Sequence, residues 1–191
     1  MIEHRLHEKI GNLIVKEFGE IKESDKVKKT DGVIRDTACK GEHRLPLFSD
    51  ETEFCDVDML ILKNNKVKVI FEIEESNVKP TQVCGKFLAS ALSKSYKYRD
   101  NIYWLDEEVL FIQILDYLKL ENKSKHPENS KKPVQWENLK KAIQNIIKSN
   151  YFKIKEYDIY VFKLQDDQII ALWKDFDFNA MIKEIKEFLK K

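Results

Sequence analysis

The sequence predicts an α/β chain of the mixed α+β kind, with a central mixed sheet flanked by helices. Three observations predict it. Apolar residues recur at helical spacing near both ends and in two interior segments, while residues 55 to 74 alternate or run apolar at strand length. Val109-Leu110-Phe111-Ile112-Gln113-Ile114-Leu115 is a nearly continuous apolar run, the pattern of a strand buried on both faces. The resulting order of helix, several strands, helix, strand, helix, strands, helix favours one sheet covered by helices over separated all-α and all-β units.

The first helix is predicted by Leu6, Ile10, Leu13, Ile14 and Phe18, with Gly19 as its stop. Residues 22 to 53 mix Lys, Asp, Gly and Thr with two short apolar pieces, Gly32-Val33-Ile34 and Leu45-Pro46-Leu47-Phe48, which suggests one irregular strand with turns around it. Two acid-bearing strands follow. Cys55 to Leu62 is the first, Lys63-Asn64-Asn65-Lys66 a short turn, and Val67 to Glu74 the second.

Ser76, Asn77 and Pro80 supply cap and entry chemistry for a second helix. Val83, Cys84, Phe87, Leu88, Ala91 and Leu92 carry it to about Tyr96. The Val109 to Leu115 strand then lies central in the sheet. A polar segment with Lys119, Lys123, Lys125, Lys131 and Lys132, broken by Pro127 and Pro133, reads as a surface loop over 119–133. Trp136, Leu139, Ile143, Ile146 and Ile147 mark a third helix. Tyr157 to Leu164 and Ile169 to Trp173 read as strands, and Phe178 to Leu189 as a closing helix. Trp136, Tyr157 and Tyr160 are expected in the core.

With 191 residues and 42% apolar content, one domain spanning 1–191 is expected, large enough for a core without staples. Charged residues make up 35%, above the roughly 25% of ordinary soluble domains, yet they balance to +1. Bulk charge therefore advertises no polyanion, and any nucleic-acid contact has to be local. Cys39, Cys55 and Cys84 form no CxxC or Cys/His metal spacing, and their odd number makes a poor disulfide framework. The start of the chain is charged and amphipathic rather than an apolar signal core, and no apolar run approaches the ~20 residues of a membrane span. A cytoplasmic protein with reduced thiols and no membrane partner is expected.

The acids carry the chemical signal. Side chains alternate along a strand, so Glu72 and Glu74 share a face, and Asp58 opens the neighbouring strand. Acids alternating with apolar residues also describe a strand with one solvated face. Here, however, Ile70 shares the face of Glu72 and Glu74, and Val57, Met59 and Ile61 on one side and Leu60 and Leu62 on the other leave neither face polar throughout. Like charges gathered in such a hairpin are costly without a cation. A divalent metal is the simplest resident. Gln82 and Lys86, one turn apart on the next helix, are placed to reach over the same strand ends.

With Asp58, a turn, Glu72-Ile73-Glu74, a helix and a further strand, residues 1 to about 115 resemble the PD-(D/E)XK nuclease superfamily, which includes many type II restriction endonucleases. The resemblance implies an αβββαβ core, to which the helix and strands of about 134–191 are additions packed on the same sheet. It implies a Mg²⁺-dependent endonuclease, with Mn²⁺ as a substitute, hydrolysing phosphodiester bonds in DNA in a restriction-modification setting. It implies Asp58, Glu72 and Glu74 as metal ligands and Asp58, Glu72, Glu74 and Lys86 as catalytic residues.

The sequence departs from the family where lysine usually stands two residues after the acid: this chain has Glu74, as some restriction endonucleases similar in pattern do. A carboxylate cannot supply a positive charge. Glu74 therefore either adds a metal ligand or orients the attacking water, or the positive charge has moved to Lys86. Asp56 is a supporting group or simply solvated, Glu75 points away from Glu74, and Glu8 or Glu17 on the first helix approaches the site or stays on the surface. His43, Arg44, Gln82 and Lys125 are the candidate nucleic-acid contacts. A homodimer is expected, because two symmetric sites most simply cut both strands of a duplex. The alternative from another class is a nuclease fold without catalysis, acting as a nucleic-acid-binding or assembly module.

Overall fold

A computed structural model of the chain describes residues 5–22, 30–35, 46–49, 52–75, 78–98, 101–116, 132–149, 151–173 and 177–191. Leu6, Ile10 and Ile14 are buried on one side of α1 (Arg5–Phe18). The helix stops as expected at Gly19, whose φ of +76° suits glycine and whose N–H donates to Val15 O at 2.8 Å.

The segment after α1 holds more structure than one irregular strand. β1 (Gly32–Arg35), β2 (Pro46–Ser49) and β3 (Thr52–Asp56) are short; β1 and β2 pair with partners distant in sequence and β3 pairs with β2 across a register shift, so little periodicity accumulates within any of them. The expected strand from Cys55 to Leu62 is in fact divided. β3 ends at Asp56 and pairs with β2, while β4 (Met59–Lys63) pairs with β1 and with β5 (Lys66–Glu74). The break at Val57 and Asp58 resets the alternation, so Val57 packs with Leu60 and Leu62 instead of with Met59 and Ile61. β4 and β5 are joined by Asn64 and Asn65 at φ 52° and 62°, the left-handed pair that a tight hairpin requires.

α2 (Pro80–Leu92) is shorter than the expected helix to Tyr96. Ser93 takes ψ 151° and the chain enters β6 (Ser95–Tyr98), where Tyr96 stacks on Tyr103 at 5.0 Å. Leu88 and Leu92 remain 50% and 49% exposed, so the buried stripe is the narrower Val83, Phe87 and Ala91. Lys79, without a side-chain cap, precedes Pro80. Ser76 and Asn77 lie outside the described residues.

β7 (Asn101–Asp116) extends well upstream of the expected strand. Its first part pairs antiparallel with β6, and its second part runs parallel to both β5 and β8 (Ile154–Gln165), the central position expected for Val109 to Leu115. α3 (Lys132–Ile147) begins inside the expected 119–133 loop, since proline is compatible with a first helical turn; the loop's other lysines, Lys125 included, lie outside the described residues. β9 (Gln168–Ala171) and α4 (Phe178–Phe188) follow, the latter capped by Asp177, which accepts from Ala180 N–H at 2.8 Å.

The sheet thus mixes parallel and antiparallel strands, with β1-β4-β5-β7-β8-β9 along one path and β6-β2-β3 continuing from the first part of β7. The α-β-β-β-α-β order is present as α1, β1, β4, β5, α2 and β7, with β2, β3 and β6 inserted. One face packs Leu60, Ile70, Phe111 and Tyr157 with Val83, Phe87 and Trp136 of α2 and α3. The other packs Met59, Phe71, Ile112 and Phe162 with α1 and α4. Trp136, Tyr157 and Tyr160 are buried, as expected. Among the described residues no helix is long and apolar enough to cross a membrane.

Phe111 meets Phe87 edge-on at 5.9 Å and stacks on Tyr157 at 5.8 Å. Phe111→Ala is expected to cost about 3–5 kcal/mol, read as a lower urea midpoint with unchanged slope.

On the opposite face, Tyr160 O–H donates to Glu184 of α4, and Asp158 nearby pairs with Lys140. Burial first, then hydrogen bonding with Asp158, pushes Glu184 up to about 8. A carboxyl raised in the fold contributes its full stability below its ordinary pKa of about 4.3 and loses it as pH rises through the folded value. The thermal midpoint should therefore fall between pH 5 and 9, and Glu184→Gln should flatten that fall.

Candidate active site

β5 delivers Glu72 and Glu74 to the face covered by α2, and both are buried, at 2% and 7% exposure. The crossover from β5 sets the first turns of α2 over the carboxyl ends of β5 and β7. Gln113, paired in register with Glu72, donates to Val83 O at 3.5 Å and accepts from Tyr157 O–H at 2.9 Å, which ties α2, β7 and β8 together beside the site.

From α2, Gln82 Nε2 donates to Glu74 Oε2 at 3.2 Å. Lys86 Nζ lies 3.4 Å from Glu72 Oε1 and donates to the main-chain O of Asp56 at 3.1 Å. Asp58 occupies the break before β4. Its own N–H donates to Phe71 O at 3.2 Å, and its Oδ2 accepts from Ile73 N–H at 2.6 Å, so this carboxylate is fixed against the β5 main chain on either side of Glu72. Asp58, Glu72, Glu74, Lys86 and Gln82 are thereby brought together.

Their electrostatics agree with that grouping. Burial, then the Asp58 charge, raises the Glu72 carboxyl well above the ordinary range, with Glu74 adding to the rise and Lys86 opposing it. Burial likewise raises Glu74, against Lys86 and with Asp58. For Lys86, burial works to lower the pKa, but Glu72 and Asp58 outweigh it and hold the ammonium above its usual value. Cys55, pushed up to about 11 chiefly by burial, stays a neutral thiol near this group.

No family model, curated protein or solved structure matches this chain. The chemistry of the site is therefore read from its own donors.

Three carboxylates face one lysine, and their hard oxygens suit Mg²⁺ or Mn²⁺ rather than a soft metal. Among the described residues no three His, Cys, Asp or Glu side chains form a ready-made cation cage. Mg²⁺ asks for less, being held by one or two carboxylates together with waters and substrate phosphates. Asp58 and Glu72 fit that requirement.

Glu75 points away from Glu74, as expected, and its Oε1 accepts from Leu6 N–H at 2.8 Å at the start of α1. Glu8 is exposed and Glu17 pairs with Lys186, so both stay outside the group. The residue of α1 that reaches it is His7, whose Nε2 lies 3.5 Å from Asp58 Oδ1. Sequence reasoning passed over His7 and Gln113. The available signals were a histidine next to the buried Leu6 and a lone polar residue within the Val109 to Leu115 run. His43 and Arg44, like Lys125, lie outside the described residues.

Proposed function

We propose that this chain is a metal-dependent endonuclease that hydrolyses phosphodiester bonds in DNA, with a PD-(D/E)XK-like, restriction-type centre at Asp58, Glu72, Glu74 and Lys86. The observation that carries this reading is the Lys86 ammonium 3.4 Å from the buried Glu72. It supplies from α2 the positive charge that the resembled family places two residues after the acid. Asp58 and Glu72 would hold the cation. When bound, Mg²⁺ or Mn²⁺ would lower the pKa of a water and offset charge on the phosphate.

The chain's own groups divide the remaining work. Lys86 donates to a non-bridging phosphate oxygen, where negative charge grows as the bond breaks. Gln82 fixes Oε2 of Glu74, whose raised pKa favours proton acceptance, and Oε1 takes the proton of the attacking water. His7 and the Ile73 N–H hold the Asp58 carboxylate in place. Cutting both strands is most simply done by a homodimer, whose existence sedimentation measures directly.

Plasmid DNA incubated with Mg²⁺ or Mn²⁺ is expected to be nicked and linearised, with EDTA abolishing the reaction and Asp58→Ala slowing it by about 10²–10³. Undiminished cleavage by Asp58→Ala, or none across varied DNA, removes the reading. Glu74 in the lysine's usual place favours a second one, a catalytically silent nucleic-acid-binding or assembly module. Salt-dependent DNA binding without cleavage by either ion would identify it.

A further inference from the structure

We propose that the cavity between α3 and the β8–β9 side of the sheet is a subsite for one unpaired nucleotide, with its base stacked on Trp173, the base edge toward Trp136 and its phosphate toward Lys141. The assignment to a DNA strand rests on the nuclease reading above; the ligand chemistry does not. The cavity has a volume of about 370 Å³, near the lower end of the ~300–1,000 Å³ usual for ligand sites, which suits a single nucleotide and excludes a duplex.

Position links it to the acidic centre. Glu72 is paired with Gln113, and Gln113 with Ile159, which lines the cavity. Ile159 packs in the same cluster as Ile70 and Phe87, so it lies on the sheet face that Glu72 shares with Ile70. Two strand spacings of ~4.8 Å separate the Glu72 and Ile159 backbones by roughly 10 Å. A strand rising ~3.4 Å per nucleotide covers that in about three steps. The location also lies toward the carboxyl ends of three parallel strands, where open α/β sheets bind ligands.

The lining is matched to the ligand. Trp173, only partly buried, offers an indole face for a base, which stacks on aromatic rings irrespective of its identity, whereas Trp136 borders the cavity as a buried residue. Trp136 is buried, and its Nε1–H has no hydrogen-bond partner among the described residues, so a base acceptor that reached it would satisfy that donor. Lys140 on the rim is paired with Asp158, whereas Lys141 is exposed. Glu137 on the same rim opposes negative charge, which confines the phosphate to the Lys141 side.

Tryptophan emission of the Trp104→Phe protein isolates the two cavity indoles, because Trp104 is 59% exposed and lines no part of the cavity. Titration in EDTA with deoxyadenosine monophosphate and with a single-stranded oligodeoxyadenylate of about six nucleotides is expected to quench that emission. The oligonucleotide should half-saturate at a concentration about tenfold lower, through its additional phosphates. Trp173→Ala is expected to weaken binding, read from Trp136 emission, by about tenfold or more. Lys141→Glu, on an exposed position, should weaken it severalfold without disturbing the fold.

Quenching by neither probe overturns the subsite, and unchanged affinity in Lys141→Glu overturns the phosphate contact. Quenching by the mononucleotide alone supports the ligand chemistry and overturns its assignment to a strand. Quenching without Mg²⁺-dependent cleavage supports the subsite and refutes the nuclease reading, while cleavage without quenching does the reverse.

Discussion

Glu72→Gln is expected to slow Mg²⁺-dependent cleavage by about 10²–10³ and, at the same time, to make the fold less sensitive to rising pH. The two effects have one origin. Glu72 is 2% exposed and stands beside the Asp58 and Glu74 charges, so burial and then like-charge repulsion raise its pKa. A carboxyl raised in the folded state gives its full stabilisation below its ordinary pKa of about 4.3. That stabilisation is lost as pH climbs through the raised value. Glutamine keeps the shape and an acceptor for Lys86 but has no proton to lose. Plasmid cleavage reads the first effect, and urea midpoints between pH 4 and 9 read the second. A Glu72→Gln protein that cuts DNA like the parent would remove Glu72 from the chemistry.

Lys86→Met is expected to slow cleavage by a similar ~10²–10³ and, unlike the first variant, to destabilise the protein by roughly 1–3 kcal/mol at neutral pH. Removing the ammonium leaves Glu72 buried without its cation, and breaking one side of a buried pair costs more than forming it gains. Glu72 can escape the penalty by taking up a proton, so the loss should be larger at pH 9 than at pH 5. The double variant Glu72→Gln with Lys86→Met should regain stability and remain inactive. Lys86→Arg keeps the charge and is expected to restore stability more than rate, because a planar guanidinium cannot reproduce the contact of a compact ammonium. Thermal midpoints of the four proteins, set beside their cleavage rates, separate these effects.

The parts legible in the sequence were those whose signal is local. Periodicity over several turns marked α1 and α4, and runs of strand length marked β5, β8 and the second part of β7. Strand alternation was enough to put Glu72 and Glu74 together, and helical spacing put Gln82 beside Lys86. What escaped depends on distant partners. β1, β2 and β3 are four or five residues long; β1 exists through pairing with β4, and β3 through β2, which in turn pairs with β6. The end of α2 escaped because Leu88 and Leu92 continue an apolar stripe that the fold leaves half exposed. His7 reaches Asp58 from an element distant in the chain, and no spacing rule spans that separation.

The two parallel ladders of β7 have a temporal consequence. β5 precedes it in the chain, but its other neighbour is β8, and the register from Val109–Ile154 to Asp116–Phe162 closes only when residue 162 has been made. At roughly 5–20 residues per second, the ribosome needs on the order of 2 to 9 s to go from Asp116 to that point. During that interval Val109 to Leu115 presents an open, almost wholly apolar edge, the kind of template on which strands of other chains assemble. The nascent protein is therefore most vulnerable to aggregation after its candidate catalytic residues have all been synthesised and before the strand that covers this edge has emerged.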